Sequence, residues 1–323
     1  MNSNNKTPLD LHNNLSESVV NNVLSKFRIT NPYSLKTLKG GYSGSINFMI
    51  QKEKRRFILK IYDNLSTREI NVLSRRLQLL SVLKRRGIPV QKSMLTTTGK
   101  NFYVRKPLCF TLFEYIKGKS VRDSQQHVFF REAVTLHTNL LTMMQHCQIK
   151  KNFFLDDFTQ KVRNIFKNKE FVDYKLMKSL KSNYNEFINL NFSKLRKGII
   201  HGDFRRGNLI EYDGKIVGII DFDNACYDYL ILEVARSSVS FACRKIAEMR
   251  RYVLEFDKRF PLTKYEKEAY VPFVQMALLY DAVQFKKKIM NNIGNKSDNV
   301  RVLRSIEYIS DAIRKKSSVL NDL

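Results

Sequence analysis

A chain of 323 residues, 43% of them apolar, can bury a sizeable core as one large domain or two intimate lobes, which excludes a disordered or fibrous polypeptide. No apolar run approaches the ~18 to 20 residues that cross a membrane, residues 1–15 lack the apolar centre of a signal peptide, and the four cysteines show neither metal-ligand spacing nor a disulfide framework, so a cytoplasmic protein is expected. The formal net charge of +27 attracts anions and repels cations, but the basic residues are spread over helix faces with no helix-turn-helix, zinc-finger or aromatic-flanked basic pattern, so nucleic acid is not the expected partner.

In chain order, residues 1–33 read as an N-terminal segment with a helix. From about Ser34 to Ser120 the pattern is strand, loop, strand, turn, strand, helix and two further strands. "SLKTLKG", "SINFMIQ" and "RFILKIY" are the first three strands, the second and third joined as a hairpin by the polar turn "KEKR". Between the first two lies "GGYSGS", where Gly40, Gly41, Ser43 and Gly44 would let backbone amides approach a phosphate chain. Lys60 sits on the third strand between Leu59 and Ile61, so its side chain points away from theirs. A helix follows: Ser66 and Glu69 form a capping box, Ile70, Leu73, Leu77, Leu80 and Leu83 make one apolar stripe, and Gly87 with Pro89 stops it. "NFYVRKP" and "CFTLFEYIKG" are a further strand pair, completing a small antiparallel sheet. The backbone at Glu114 and Ile116 either hydrogen-bonds an adenine edge or belongs to a plain edge strand. Helical spacing then recurs at about 124–149, 174–192, 228–250, 265–290 and 300–316, with no repeat and no long linker. The expected division is 1–33, 34–118 and 119–323, with a hinge near residue 118.

The helical part is interrupted by "IIHGDFRRGNLIEYDGKIVGIIDFDNA", residues 199–225. A short strand ends in His201-Gly202-Asp203, and Asn208 follows five residues later. The next run reads as a hairpin turning at Asp213-Gly214, which returns Asp221 beside Asp203 and Asn208. Two carboxylates and an amide at one sheet end are the hard-oxygen set that suits magnesium with room for water and phosphate, with one carboxylate left to orient a hydroxyl. The four fixed positions of H-G-D-x-x-x-x-N arise by chance in about one chain in 500 of this length, and a hydrophobic strand ending in Asp-Phe at hairpin distance makes chance rarer.

A phosphoryl-transfer site of the kinase type also needs a Gly-rich cover, a strand lysine and a helix glutamate, and these precede the loop in the required order. Taken alone, a Gly-rich turn is weak evidence and a strand lysine usually faces solvent. Glu69 is the only acidic residue between Asp63 and Glu114, hence the only helix carboxylate on hand for Lys60.

"IIHGDFRRGN" together with "GIIDFDNACYDYLILEVA" resembles the aminoglycoside phosphotransferase and choline kinase family, and is closest to its type II homoserine kinase-like branch, to which "FPLTKYEKEAYVPF" at 260–273 is also similar. The resemblance spans about Ser34 to Lys288. It implies an α+β, bilobal protein-kinase-like fold, with a small antiparallel-sheet N-lobe and a mainly helical C-lobe. By the same likeness Asp203 is the catalytic base, Asn208 and Asp221 are the magnesium ligands, Lys60 contacts the α- and β-phosphates and Glu69 holds Lys60. His137 of "AVTLHTNL" matches a packed helix position.

The sequence departs from the family pattern at Glu233, where Asp is usual, and at Arg205 and Arg206, which either hold a substrate carboxylate or phosphate or lie in solvent. Asp223, Asp228, Glu233 and Asp281 are candidates for a local acidic patch facing the substrate. The expectation is a cytoplasmic, magnesium- and ATP-dependent kinase that phosphorylates a hydroxyl of an amino alcohol, a homoserine-like amino acid or an amino sugar. The alternatives are an antibiotic phosphotransferase of the aminoglycoside type and a non-catalytic kinase-fold scaffold such as a spore-coat relative. The field of +27 opposes a polycationic drug unless the pocket is locally acidic.

Overall fold

In the computed structural model, which describes residues 16–38, 45–122, 126–147, 158–167, 181, 183–242, 245–291 and 295–315, the alternation of the early strands decides where the first core lies. Strands β1 (Ser34–Leu38), β2 (Ile46–Lys52), β3 (Arg55–Asp63), β4 (Tyr103–Arg105) and β5 (Leu108–Glu114) form an antiparallel sheet in the order β1-β2-β3-β5-β4. Ile46, Phe48 and Ile50 of β2, Phe57, Leu59 and Ile61 of β3, and Phe110 and Leu112 of β5 all fall on one face. Helix α1 (Glu17–Lys26) covers that face with Val20, Val23 and Leu24, spaced for a single helix side, followed by Phe27 and Ile29. Each fully buried Leu, Ile or Phe of this cluster contributes about 1.5–3 kcal/mol. The opposite face of β3 is thereby free to carry Lys60.

Helix α2 (Thr67–Arg85) begins at Ser66 with both halves of its capping box made, and its buried face holds Val72 and Leu79 beside the expected Leu73, Leu77, Leu80 and Leu83. The chain divides into two compact units. The first runs to Lys117 and takes back Gly218–Asp223; the second holds Gly118–Val217 and everything from Asn224 on. Within the first unit the returning segment is bonded beside residues 88–91, where Ile219 N donates to Pro89 O at 2.7 Å and Gln91 N donates to Ile219 O at 3.3 Å. Gly218 is required there, since a Cβ would lie 2.6 Å from Ile116 Cδ1.

β6 (Lys119–Ser120), β8 (Leu209–Tyr212) and β9 (Lys215–Ile219) form a three-stranded sheet, the last two residues of β9 already belonging to the returning segment, and in the second unit β7 (Lys197–Ile200) pairs antiparallel with β10 (Cys226–Tyr229). The helices are α3 (Gln126–Gln145), α4 (Phe158–Lys167), α5 (Leu230–Phe241), α6 (Ile246–Asp257), α7 (Lys264–Met290) and α8 (Lys296–Lys315). α7 packs against α5, α4 and α8, and α3 packs against β7 and α6.

The helix expected over 228–250 is instead the end of β10, then α5 and α6. Cys226-Tyr-Asp-Tyr pairs with β7, and the backbone stops helical bonding at Ala242 before Lys245 reopens it. Of the helix expected over 174–192, the described part is helical at 181 and 183–188. α4 is absent from the expected helices although Phe158, Val162, Ile165 and Phe166 fall at helical spacing. None of the described helices is long and apolar enough to cross a membrane.

One ion pair fixes the approach to the catalytic loop. Glu266, fully buried, closes the α7 capping box on Thr263 and grips Arg196 with both carboxylate oxygens, at 2.9 Å to Nε and 2.6 Å to Nη2. Arg196 lies next to β7 and is 41% exposed, so it can rehydrate once unpaired. Glu266→Ala is expected to cost about 2 kcal/mol through the lost cap and charged hydrogen bonds, read as a lowered denaturant midpoint with an unchanged m-value. A change below about 0.5 kcal/mol would mean the pair adds no stability.

Candidate active site

The first group of site residues stands on β3 and on the returning segment. The register places Asn47 and Thr111 beside Lys60 on the face opposite the α1 core. Lys60, 8% exposed, points its ammonium at Asp221 Oδ1 (3.0 Å) and Asp223 Oδ2 (2.7 Å), while Tyr62 donates its hydroxyl to Asp223 Oδ1 at 3.1 Å. Burial alone would lower the lysine pKa, but Tyr62, Asp223 and Asp221 reverse this and hold it raised and cationic. Burial and Asp223 push the Tyr62 hydroxyl up as well, so it stays a donor.

One ammonium against two carboxylates leaves a negative excess in a nearly buried place, the electrostatic setting that favours a cation. Asn47 Oδ1, beside Lys60, is buried without a hydrogen-bond partner, and such a polar atom asks for a ligand or water. Asp221 holds φ at 65°, the left-handed region that Asp tolerates better than most residues.

Two nucleotide-side expectations need correction. Glu69 does not hold Lys60: at the third position of α2 its carboxylate turns back to Ser66, 2.8 Å from the backbone N and 2.6 Å from Oγ, which lowers its pKa. Asp223 supplies the lysine's carboxylate instead, so it is a partner of Lys60 and not a substrate contact. Glu114 donates its amide to Lys92 O at 2.9 Å and accepts Lys92 Nζ at 3.0 Å, whereas the Ile116 amide bonds no described residue. Gly40, Gly41, Ser43 and Gly44 lie outside the described residues.

The second group surrounds the loop after β7. Gly202 has φ of 75°, and a Cβ there would lie 2.4 Å from Asn224 O. Its peptide is held on both sides from α5, since Gly202 N donates to Glu233 Oε2 at 2.7 Å and Arg236 Nη1 donates to Gly202 O at 2.5 Å. Glu233 and Arg236 are three residues apart on one helix side, so one rigid face sets the direction of the next residue, Asp203.

Asp203 Oδ2 accepts from Asn208 Nδ2 and from Arg205 Nε, each at 2.9 Å. Asn208 Nδ2 also donates to Asp203 O at 2.9 Å, so the amide nitrogen is spent and its oxygen is the atom available to a cation. Arg236 Nη2 lies 3.9 Å from Asp203 Oδ1 and 3.3 Å from Asp281 Oδ1. Arg206 follows at the start of a short 3-10 turn.

Glu233, 1% exposed, is a positioning residue and does not face a substrate. Burial pushes its pKa up, but His137, His201 and the Gly202 amide outweigh that and keep it low. His137 is packed as expected, stacked on Phe204 at 4.1 Å with Nδ1 2.7 Å from Tyr252 Oη, and burial lowers its pKa. Asp228 is also interior, accepting from Phe158 N and Tyr229 N, so the expected acidic patch loses Asp223, Asp228 and Glu233. Arg236 went unnoticed in the sequence, although a lone arginine three residues after a buried glutamate in "LILEVARSSVSF" is a usable sign.

Gly202→Ala tests the double grip. The left-handed conformation alone costs an alanine about 1–3 kcal/mol, and the close carbonyl forces a backbone shift next to Asp203. Thermal unfolding should fall and turnover drop at least about tenfold. Wild-type turnover would show that the loop does not depend on this peptide.

No group of three His, Cys, Asp or Glu side chains capable of holding a metal occurs among the described residues. Magnesium bound mainly through nucleotide phosphates and water needs fewer protein ligands, and the carboxylate of Asp221 and the amide oxygen of Asn208 are of the right hard-oxygen type.

Comparison with known proteins gives the following. Residues 34–261 match the model of a family described as the phosphotransferase enzyme family. The chain is 23% identical to homoserine kinase of Bartonella tribocorum (strain CIP 105476 / IBS 506) over 233 residues, 66% of each chain, and 26% identical to hydroxylysine kinase of Danio rerio over 247 residues, 69% of each. Among solved structures, the microcompartment-associated aminopropanol kinase superimposes with a TM-score of 0.74 at 15% identity, covering 95% of this chain and 99% of that one. An amicoumacin kinase in complex with AMP-PNP, Ca2+ and Ami gives 0.70 at 15% identity, covering 95% and 96%. These likenesses establish a kinase-like fold, with an antiparallel-sheet region and a mostly helical remainder.

Proposed function

The chain belongs to the phosphotransferase enzyme family, and from that premise we propose that it is a magnesium- and ATP-dependent kinase that transfers the γ-phosphoryl group to a hydroxyl of a small amino acid or amino alcohol. The observation that carries the reading is the buried bond, 3.0 Å long, between Lys60 of β3 and Asp221, 161 residues later. A structural protein has little reason to bury a lysine between two carboxylates, whereas a nucleotide site needs both charges near one phosphate chain.

In this reading the acceptor oxygen attacks the γ-phosphorus, the bond from that phosphorus to the bridging oxygen breaks, and ADP leaves. Asp203 receives the hydroxyl proton. Asn208 and Asp221 are the residues that would hold magnesium, which supplies charge neutralisation on the phosphates. Lys60 contacts the α- and β-phosphates, Asp223 and Tyr62 fix Lys60, and the backbone at Ile116 meets the base. Thr111 and Asn47 are further polar contacts on the nucleotide side. Catalysis is mainly positioning and electrostatics, because the loose transition state asks little covalent chemistry of the protein.

The named kinases to which the chain is similar act on homoserine, hydroxylysine and aminopropanol, all small hydroxylated amines. An aminoglycoside as acceptor is disfavoured by the net charge and by the loss of three of the four candidate acidic residues to interior roles. An ATP-consumption screen of the purified chain against homoserine, hydroxylysine, aminopropanol, choline, sugars and representative aminoglycosides tests the proposal. Turnover with a small hydroxylated amine is expected; turnover with aminoglycosides alone would replace this reading with the antibiotic one.

A further inference from the structure

We infer that Arg205 is a specificity residue that binds a carboxylate on the acceptor, in the cavity it shares with Asp203. The inference rests on the kinase reading above and deepens it, because it selects carboxylate-bearing acceptors over simple amino alcohols.

The first ground is the cavity beside Asp203. It encloses about 150 Å³ within the second unit, with Asp203, Arg205, Arg236 and Asp281 as its charged walls and Val239, Ala277 and Leu278 as apolar floor. A space of that size admits a molecule of roughly benzene's bulk, well below the ~300 Å³ at which pockets for larger ligands begin. A small amino acid fits this measure.

The second ground is charge. The lining sets two cations, Arg205 and Arg236, against two carboxylates, Asp203 and Asp281, which suits a small ligand that carries charges of both signs.

The third ground is which cation is available. Arg236 is committed to Gly202 O and Asp281, and moving it would release the loop. The Arg205 side chain is 40% exposed, and its one hydrogen bond to the described residues is Nε to Asp203 Oδ2, which leaves the outer edge of its guanidinium bonded to no described residue. That edge presents paired N–H donors suited to a carboxylate.

The bond from Arg205 Nε to Asp203 Oδ2 holds the guanidinium beside the base, so a carboxylate on its outer edge lies in the same cavity as Asp203. An acceptor's ammonium can meanwhile face Asp281. An aminopropanol-like molecule offers the hydroxyl and the ammonium but nothing for Arg205, so it binds without that contact.

The test is steady-state kinetics of the full chain with homoserine, hydroxylysine and aminopropanol, in wild type and in Arg205→Ala, with MgATP affinity measured on each preparation. Wild type should favour the carboxylate-bearing acceptors in kcat/KM by about 10- to 100-fold, and Arg205→Ala should collapse that ratio with MgATP affinity retained. Arg205→Lys should restore the preference only partly, since a point charge lacks the paired donors.

Should Arg205→Ala fail to fold, competition on the wild type decides. Aminobutyrate, which keeps the carboxylate but lacks the hydroxyl, should compete with the acceptor far better than butylamine does, and equal competition would overturn the inference. Equal losses on all acceptors in Arg205→Ala would also overturn it, as would wild-type turnover restricted to aminopropanol. Absence of turnover with every acceptor overturns the kinase reading and this inference together.

Discussion

Asp203→Asn is expected to lower kcat by about 10² to 10⁴-fold while MgATP affinity stays within about twofold of wild type. The amide keeps the shape of the carboxylate, and its oxygen can still accept from Asn208 Nδ2 and Arg205 Nε, both now at 2.9 Å. What it loses is the ability to take a proton. Since Glu233 and Arg236 hold the neighbouring peptide of Gly202, the loop's direction survives the substitution and the loss falls on chemistry. Phosphoryl transfer and calorimetric MgATP titration on one preparation separate the two effects. Full activity would remove Asp203 from catalysis, and a parallel loss of nucleotide affinity would assign it to the metal.

Asp221→Asn is expected to remove the magnesium-dependent part of nucleotide affinity, at least about tenfold, with little change in folding. Asparagine also tolerates the φ of 65° found here, so the backbone is preserved where alanine would be strained. Lys60 retains Asp223 at 2.7 Å, which limits the damage to the buried lysine. The substitution thus removes one negative charge and one metal-type oxygen while leaving the lysine paired. Titration of ATP with and without magnesium reads the result directly. A magnesium increment equal to wild type would place the metal elsewhere.

Much of this was legible in the chain because the signals were local. The strands β1 to β3, the α2 capping box at Ser66 and Glu69, and the hairpin turning at Asp213-Gly214 each follow from a few adjacent residues. Lys60 was placed correctly on its strand by alternation alone, since Leu59 and Ile61 face the α1 core. What failed was partnership across long separations. Elimination pointed to Glu69 as the lysine's partner, but a carboxylate at the third helical position satisfies its own N-cap first, and Asp223 arrives from far along the chain.

The end of strand β10, Asp228 and Tyr229, was read as helix because its pairing with β7 is a tertiary fact that "CYDY" does not announce. Glu233 and Asp228 looked like candidates for a substrate-facing patch; only burial reveals that one holds Gly202 and the other caps backbone amides. The role of Arg236 is set the same way, since its hydrogen-bond partners, Gly202 O and Asp281, come from different elements.

The most direct test of phosphoryl transfer is phosphorus NMR of the full chain turning over ATP with magnesium and a small hydroxylated amino acid such as homoserine. One phosphomonoester resonance should grow in step with ADP, with no accumulation of inorganic phosphate. ADP appearing with free phosphate alone, or no change in the nucleotide resonances under any acceptor, would contradict a kinase.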